Sequence, residues 1–416
     1  RSPTVTGVQT CALPILKTFY LCILLWTSGC LLVSGQTVRV FDNERICFDP
    51  NLYQKNYIYT DSNKIIHLTN GRIILKKIAL PFHEQNLQMK LTAHITLSSD
   101  GDPWDKTGSC FIIPHNSEIH MINIAKGEKQ YPLVDSMKYE NLKGIVASEK
   151  YQPVIELMRF MTPFGVGYYS KNDSSESKQK PVYIDRWAEN VEWSEDITHL
   201  YSIFKDSVYV GIYIDTWTKE GFLVNLDIDI EVFGKKTKEI SVNPIINTVY
   251  YMGQSYPDIF CRKDLEASFH IPPKAKNVRI KYIATGHGGH SGGDEFKPTE
   301  HSIYVDNSEV FRFIPWRNDC ASFRRYNPSA GVWLVKRMAS YIGEKGYEEK
   351  EIEESLASSD LSRSNWCPGS LVSPIEIPLN MDSGTHIIRF SIPQAQASHG
   401  EKLNHWLISA YIVWEE

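Results

Sequence analysis

Two stretches of strict period-two alternation limit what this chain can fold into. Leu87, Met89, Leu91, Ala93, Ile95 and Leu97 alternate with Gln, Lys, Thr, His and Thr. Phe222, Val224, Leu226, Ile228, Ile230 and Val232 alternate with Leu, Asn, Asp, Asp and Glu. Successive side chains of a strand point to opposite faces, so each stretch is a strand with one apolar face that another layer must cover. Further strands are predicted at 208–217, 277–284, 386–392 and 405–414, and at 301–305 paired with 310–313 through Asp306-Asn307-Ser308. Only the acidic segment 348–357 reads as helical. Many strands and few helices predict an all-β chain built of sandwiches or jelly rolls.

Residues 1–15, which include Val5-Thr6-Gly7-Val8-Gln9-Thr10, read as a translated sequencing-adapter oligonucleotide and are set aside. Residues 16–35 carry Lys17, an apolar run from Phe19 to Val33 and small residues before Gln36. This is the layout of an export signal cleaved near Gln36; acylation of Cys30 as a lipoprotein is the alternative. The run is too short to read as a membrane span, and no other stretch is long and apolar enough. The protein is therefore expected in the periplasm or outside the cell. Roughly 380 residues remain, more than one ordinary core accommodates, so two domains are expected. The polar run Phe233-Gly234-Lys235-Lys236-Thr237-Lys238 divides them into 36–234 and 238–416. Ser170 to Lys180 reads as a flexible loop.

Export places the cysteines in oxidising surroundings. Of eight, Cys11, Cys22 and Cys30 fall in the segments set aside, leaving Cys47, Cys110, Cys261, Cys320 and Cys367. Five thiols allow at most two disulfides. None lies in a CxxC pair, which argues against a structural zinc site. A formal charge of −5 with no basic cluster argues against nucleic acid as a partner. Ten Trp and twenty-two Tyr exceed what cores require, and in an exported protein aromatics often serve as platforms for sugar rings.

Residues 286–296 hold five glycines, two histidines and two carboxylates. Glycine buries nothing and costs backbone entropy, so such a loop is expected to bring main chain close to a ligand. Carboxylates recur beside Trp at strand ends, in Asp102-Pro103-Trp104-Asp105 and Ile214-Asp215-Thr216-Trp217. An indole excludes water and raises a carboxyl pKa, whereas a nearby cation lowers it, so these are tunable acids. Each also has an ordinary reading, because Asp is common in turns.

Taken in order, the motifs resemble those of the bacterial peptide-N-glycosidase F family. Asp102-Pro103-Trp104-Asp105-Lys106 is similar to the family's Asp-Glu-Trp-Asp-Arg, and Arg159-Phe160-Met161-Thr162-Pro163 to its Arg-Phe-Ile-Thr-Pro. Ile212-Tyr213-Ile214-Asp215-Thr216-Trp217 is similar to Ile-Tyr-Thr-Glu-Thr-Trp, Gly286-His287 with Glu295 to its Gly-His and Ala-Glu-Trp, and Arg363 to Gly369 to Arg-x-x-Trp-Cys-Pro-Gly. The resemblance implies two adjacent antiparallel jelly rolls with a substrate cleft at their junction. It implies catalytic roles for Asp105, Glu295 and Asp215, and substrate contacts for Trp104, Lys106, Trp217, His287, Arg363 and Trp366. It also implies a Cys320–Cys367 disulfide. The implied activity is hydrolysis of the amide between asparagine and the innermost GlcNAc of an N-glycan, by a monomer acting on a glycoprotein or glycopeptide without a cofactor.

The chain departs from the family at Asp215, one methylene shorter than Glu, and at Lys106, which lacks the guanidinium fork. The small disulfide loops around the first acid and around Glu295 are missing, so those segments need another support. Residues 116–157 are an insertion. Two alternatives stay open: a glycan-binding protein without catalysis, and a metal enzyme using His287 and His290 with Asp294, Glu295 and His301.

Overall fold

A computed structural model describes residues 34–54, 58–81, 87–115, 117–132, 143–171, 180–181, 183–235, 238–252 and 258–416. The adapter-like segment and the export signal with Cys30 lie outside the described residues, except that the strand Ser34–Ile46 takes in the last two residues of the signal. Residues 236–237 of the proposed domain boundary, 172–179 of the flexible-loop reading, and 116 and 133–142 of the insertion also lie outside them.

The chain is all-β and forms two antiparallel jelly rolls. One sheet of the first has the order Ser34–Ile46, Phe222–Lys235, Leu87–Ser99, Val191–Asp196. The alternating strands thus pair with each other, Leu226 opposite Ile95, and their apolar residues enter one core. The facing sheet runs Leu371–Val372, Ile155–Met161, Thr107–Ile113, Val208–Ile214, Ile73–Ile78, Ile66–Leu68, Tyr59–Thr60.

The second jelly roll packs Ile240–Asn247, His405–Glu415, Lys276–His287 and Ile375–Pro378 against Leu265–Ile271, Gly384–Ser391, His301–Val305 and Ser308–Phe313. The expected hairpin at 301–313 forms, turning at Asp306 and Asn307. Both have positive φ, which Asp and Asn tolerate better than most residues.

Where the jelly rolls meet, the second face of the seven-stranded sheet is covered too. Phe111, Ile113, Leu75 and Tyr213 pack with Val249, Tyr251 and Leu407. Thr107–Ile113 and Ile155–Met161 are consequently buried along their whole length, including the ion pair of Glu156 with Arg159, both fully buried. The strand Leu371–Val372, from the second half of the sequence, pairs with Arg159 and Phe160 and finishes the sheet edge.

The helical reading of 348–357 is corrected. Gly346–Ala357 is a strand paired with Val332–Gly343, turning through Glu344 and Lys345 into Gly346 at φ +99°. Glu and Lys favour helix locally, but here the glutamates face cations across the hairpin: Lys336 Nζ lies 3.0 Å from Glu351 and Arg337 Nε 3.1 Å from Glu354. The one α-helix among the described residues is Met121–Ala125, in the insertion.

Cys320 and Cys367 form a disulfide with a sequence separation of 47, and Cys47, Cys110 and Cys261 are free thiols. The bond closes a loop that includes Arg363 and Trp366. Replacing both cysteines by Ser is expected to lower unfolding free energy by about 4 kcal/mol if loop entropy dominates. A urea melt of the double variant beside the wild type measures it.

Candidate active site

A cavity of about 640 Å³ opens between the jelly rolls, with Asp105, Lys106 and Asp215 on one wall and His287, Glu295 and Arg363 on the other. Asp105 ends a tight loop that leads into Thr107–Ile113. The fully buried Asp102 frames this loop: its carboxylate accepts from the Trp104 amide at 2.9 Å and from Thr216 Oγ1 at 2.7 Å. Thr162 clamps the far side, its Oγ1 accepting from Lys106 N and its amide donating to Lys106 O, both at 2.8 Å. Of the two acids in the motif, Asp102 is thus the turn residue and Asp105 the one that faces the cavity.

Several glycines of the glycine-rich loop serve its own packing. Gly286 and His287 belong to the strand Lys276–His287. A Cβ on Gly286 would strike Trp406 and Ser364, one on Gly288 would strike Asn404, and one on Gly293 would strike the Gly288 carbonyl. These glycines let the loop fold onto itself and its neighbours; of the loop's own glycines, Gly288 and Gly289 reach the cavity wall. Asp294 supports the turn, accepting from Gln396 N at 3.1 Å, while Ser364 donates its amide to Glu295 O at 2.9 Å and its hydroxyl to Asp294 O at 2.6 Å. Hydrogen bonds thus hold both acid-bearing loops in which the family's small disulfides are missing.

Arg363 joins the two acids. Its Nε donates to Glu295 Oε1 at 2.8 Å, and Nη2 lies 4.0 Å from Asp105 Oδ2. The carbonyls of Leu361 and Ser358 accept hydrogen bonds from Nη1 and Nη2, and the rings of Phe296 and Trp366 lie 5.1 and 4.9 Å from Cζ. Burial pushes Glu295 up to about 7; Arg363 opposes this and the Asp105 charge adds to it. Burial also raises Asp105, against the pull of Arg363 and Lys106. The cleft therefore holds two carboxyls that resist ionising together, tied to one buried cation.

Asp215 lines the cavity wrapped by donors: Tyr250 OH at 2.9 Å, Tyr213 OH at 3.1 Å and Arg72 Nη1 at 3.1 Å. Burial raises its pKa and these partners restrain the rise. Trp104 is 57% exposed at the cavity mouth. Trp217 lies outside the cavity wall, half exposed, with the Arg72 guanidinium 4.4 Å from its ring centre. Trp366 lines the cavity but is only 2% exposed; its Nε1 donates to Gly286 O at 2.8 Å. It supports His287 and Arg363 and leaves no open face for a sugar ring.

The groups considered as metal ligands are engaged separately. His287 Nε2 meets Thr285 Oγ1 at 2.8 Å, His290 Nε2 meets Asn404 Oδ1 at 3.2 Å, and His301 Nδ1 meets Tyr282 OH at 2.9 Å. No group of three or more His, Cys, Asp or Glu among the described residues is arranged to hold a metal ion. Sequence reasoning missed Arg72, Tyr250, Thr285 and His405. Only His405 carried a signal, as a polar residue opening a largely apolar strand.

Family models described as Peptide-N-glycosidase F, N terminal and C terminal, match residues 37–230 and 255–413. Two crystal forms of PNGF-II are similar to this chain at 33% and 32% identity, with TM-scores of 0.76 and 0.75. They match 92% and 91% of this chain, which spans 65% of theirs. PNGase F, a glycosylasparaginase from Flavobacterium meningosepticum, shares the fold at 16% identity and a TM-score of 0.57, over 92% of this chain and 96% of that one. No curated protein matches the chain.

Proposed function

The chain belongs to the peptide-N-glycosidase F family, and we propose that its cleft hydrolyses the amide joining asparagine to the innermost GlcNAc of N-linked glycans. The observation that carries this reading is Arg363 set between Asp105 and Glu295, one acid from each jelly roll. Amide hydrolysis needs an activated water, a proton for the leaving nitrogen and a partner for the developing oxyanion. Glu295 orients the water, and Asp105 moves protons at the scissile amide. Water adds to the carbonyl carbon, the C–N bond breaks, and the nitrogen departs with the sugar as a glycosylamine, leaving aspartate in the peptide. Arg363 and Lys106 supply positive charge for the oxyanion, and the exposed Trp104 offers a face to a sugar ring.

Export belongs to the same proposal. The Cys320–Cys367 disulfide supports an oxidising compartment, and no helix among the described residues is long and apolar enough to cross a membrane. We assign a glycoprotein or glycopeptide substrate, a monomeric enzyme and no cofactor.

Incubation with an N-glycopeptide followed by mass spectrometry tests the reading. The expected products are a peptide with Asp in place of the glycosylated Asn and an intact glycan, in unchanged yield with a chelator present. A GlcNAc left on the peptide would point to an endoglycosidase. Binding without release would point to a lectin-like protein, and loss of activity in chelator to a metal enzyme.

A further inference from the structure

We infer that Thr285 is a positioning residue that fixes His287 as its Nδ1–H tautomer, so that the imidazole offers the cleft a neutral hydrogen-bond donor for the acetamido carbonyl of the innermost sugar. The inference rests on the amidase reading for its ligand, but not for its geometry.

The chain of contacts starts in the buried ion pair. Arg159 Nε donates to Glu156 Oε2 at 2.9 Å, while Nη1 donates to Leu407 O at 2.6 Å and to Thr285 Oγ1 at 3.2 Å. A guanidinium has no acceptor, so the Thr285 oxygen accepts here and its own proton must go elsewhere. Thr285 is fully buried, and the other partner of its hydroxyl is His287 Nε2 at 2.8 Å. The hydroxyl therefore donates to Nε2. The opposite tautomer would leave a buried hydroxyl proton without an acceptor, which costs about 1–3 kcal/mol.

With Nε2 accepting, the ring proton lies on Nδ1. Burial, with the neighbouring His405 and Arg159, holds the ring neutral. The imidazole is stacked between Trp366 at 5.5 Å and His405 at 5.0 Å, so its plane is fixed. The ring lines the cavity, its hydrogen bond among the described residues is the contact with Thr285, and Nδ1 is not sealed from solvent. A donor is thus held open to the cleft. Arg363 and Lys106 match the developing charge at the scissile amide, whereas a neutral donor matches a neutral acceptor. On the proposed substrate the acetamido oxygen, carried on the carbon next to the scissile linkage, is such an acceptor.

Nitrogen NMR of histidine-labelled protein reads the tautomer directly, and titration with chitobiose against cellobiose reads the acetamido preference. Wild type and Thr285→Ser are expected to show Nδ1–H at His287 and to prefer chitobiose. Thr285→Val should lose the fixed tautomer, the preference and about tenfold in KM for a glycopeptide, with a smaller change in kcat, as for one lost hydrogen bond. An Nε2–H tautomer in the wild type overturns the inference, as does equal chitobiose preference in the Val and Ser variants. If Thr285→Val does not fold, the wild-type tautomer and the sugar preference still decide. Failure of the amidase reading registers separately, as Nδ1–H and chitobiose binding in a protein that releases no glycan.

Discussion

Asp105→Asn is expected to lower the rate of glycan release by about 10³- to 10⁴-fold while leaving the fold intact. The substitution keeps the shape of the side chain and removes only its ability to exchange a proton. The loop around it is held by Asp102, Thr162 and Thr216, none of which depends on the Asp105 carboxylate. Because burial raises the Asp105 pKa in the folded state, its stabilising contribution is complete below the ordinary aspartate range and is lost as pH rises through the folded value. The Asn variant escapes that loss, so it should match the wild type in acid and melt at an equal or higher temperature at pH 8. Single-turnover assays on a glycopeptide, with melts at both pH values, separate the effects. Near-normal turnover would remove Asp105 from the mechanism.

Arg363→Met is expected to be nearly as damaging, and it should damage stability as well. Removing one partner of a buried ion pair costs about 3–5 kcal/mol, and loss of an oxyanion partner costs about 10²- to 10³-fold in rate. The pH dependence identifies the residue. Glu295 stands at about 7 with Arg363 pulling it down, so the acidic limb of kcat/KM should lie near 7 in the wild type and move to higher pH in the variant. The stability sign agrees. A carboxyl with a raised folded pKa contributes stability that is complete below its ordinary value and lost as pH rises through the folded one. The deficit of the variant should therefore widen between pH 5 and 8. Arg363→Lys keeps the charge without the fork and should recover part of the stability. A limb that stays near 7 in Arg363→Met would break the proposed coupling.

How much could be read in the sequence follows from which faces are buried. Leu87–Ser99 and Phe222–Lys235 have one wet face, so their alternation was plain. Thr107–Ile113 and Ile155–Met161 are covered on both sides by the junction of the jelly rolls, and their sequences, with Thr107, Ser109, Glu156 and Arg159 among the buried residues, carry no alternation to detect. Gly346–Ala357 has the composition of a helix, and only its pairing with Val332–Gly343 makes it a strand. At the site, the family motifs pointed to Asp105, Glu295, Asp215 and Arg363, all of which line the cavity. The partners that tune them, such as Tyr250 and Arg72, come from distant segments whose local sequence says nothing of what they will touch. Trp217 was the reverse case: a conspicuous neighbour in sequence that folds away from the cavity wall.

The two-residue strand Leu371–Val372 bears on how the protein is made. It closes the sheet edge beside Arg159 and Phe160, yet it is translated long after the other strands of that jelly roll. At a synthesis rate of about 5–20 residues per second, the first jelly roll waits on the order of ten seconds with that edge bare. An open edge at the ribosome invites pairing with a neighbouring nascent chain. The sheet is therefore completed only once residues 371 and 372 have been made, which puts the closing of that edge among the last steps of folding.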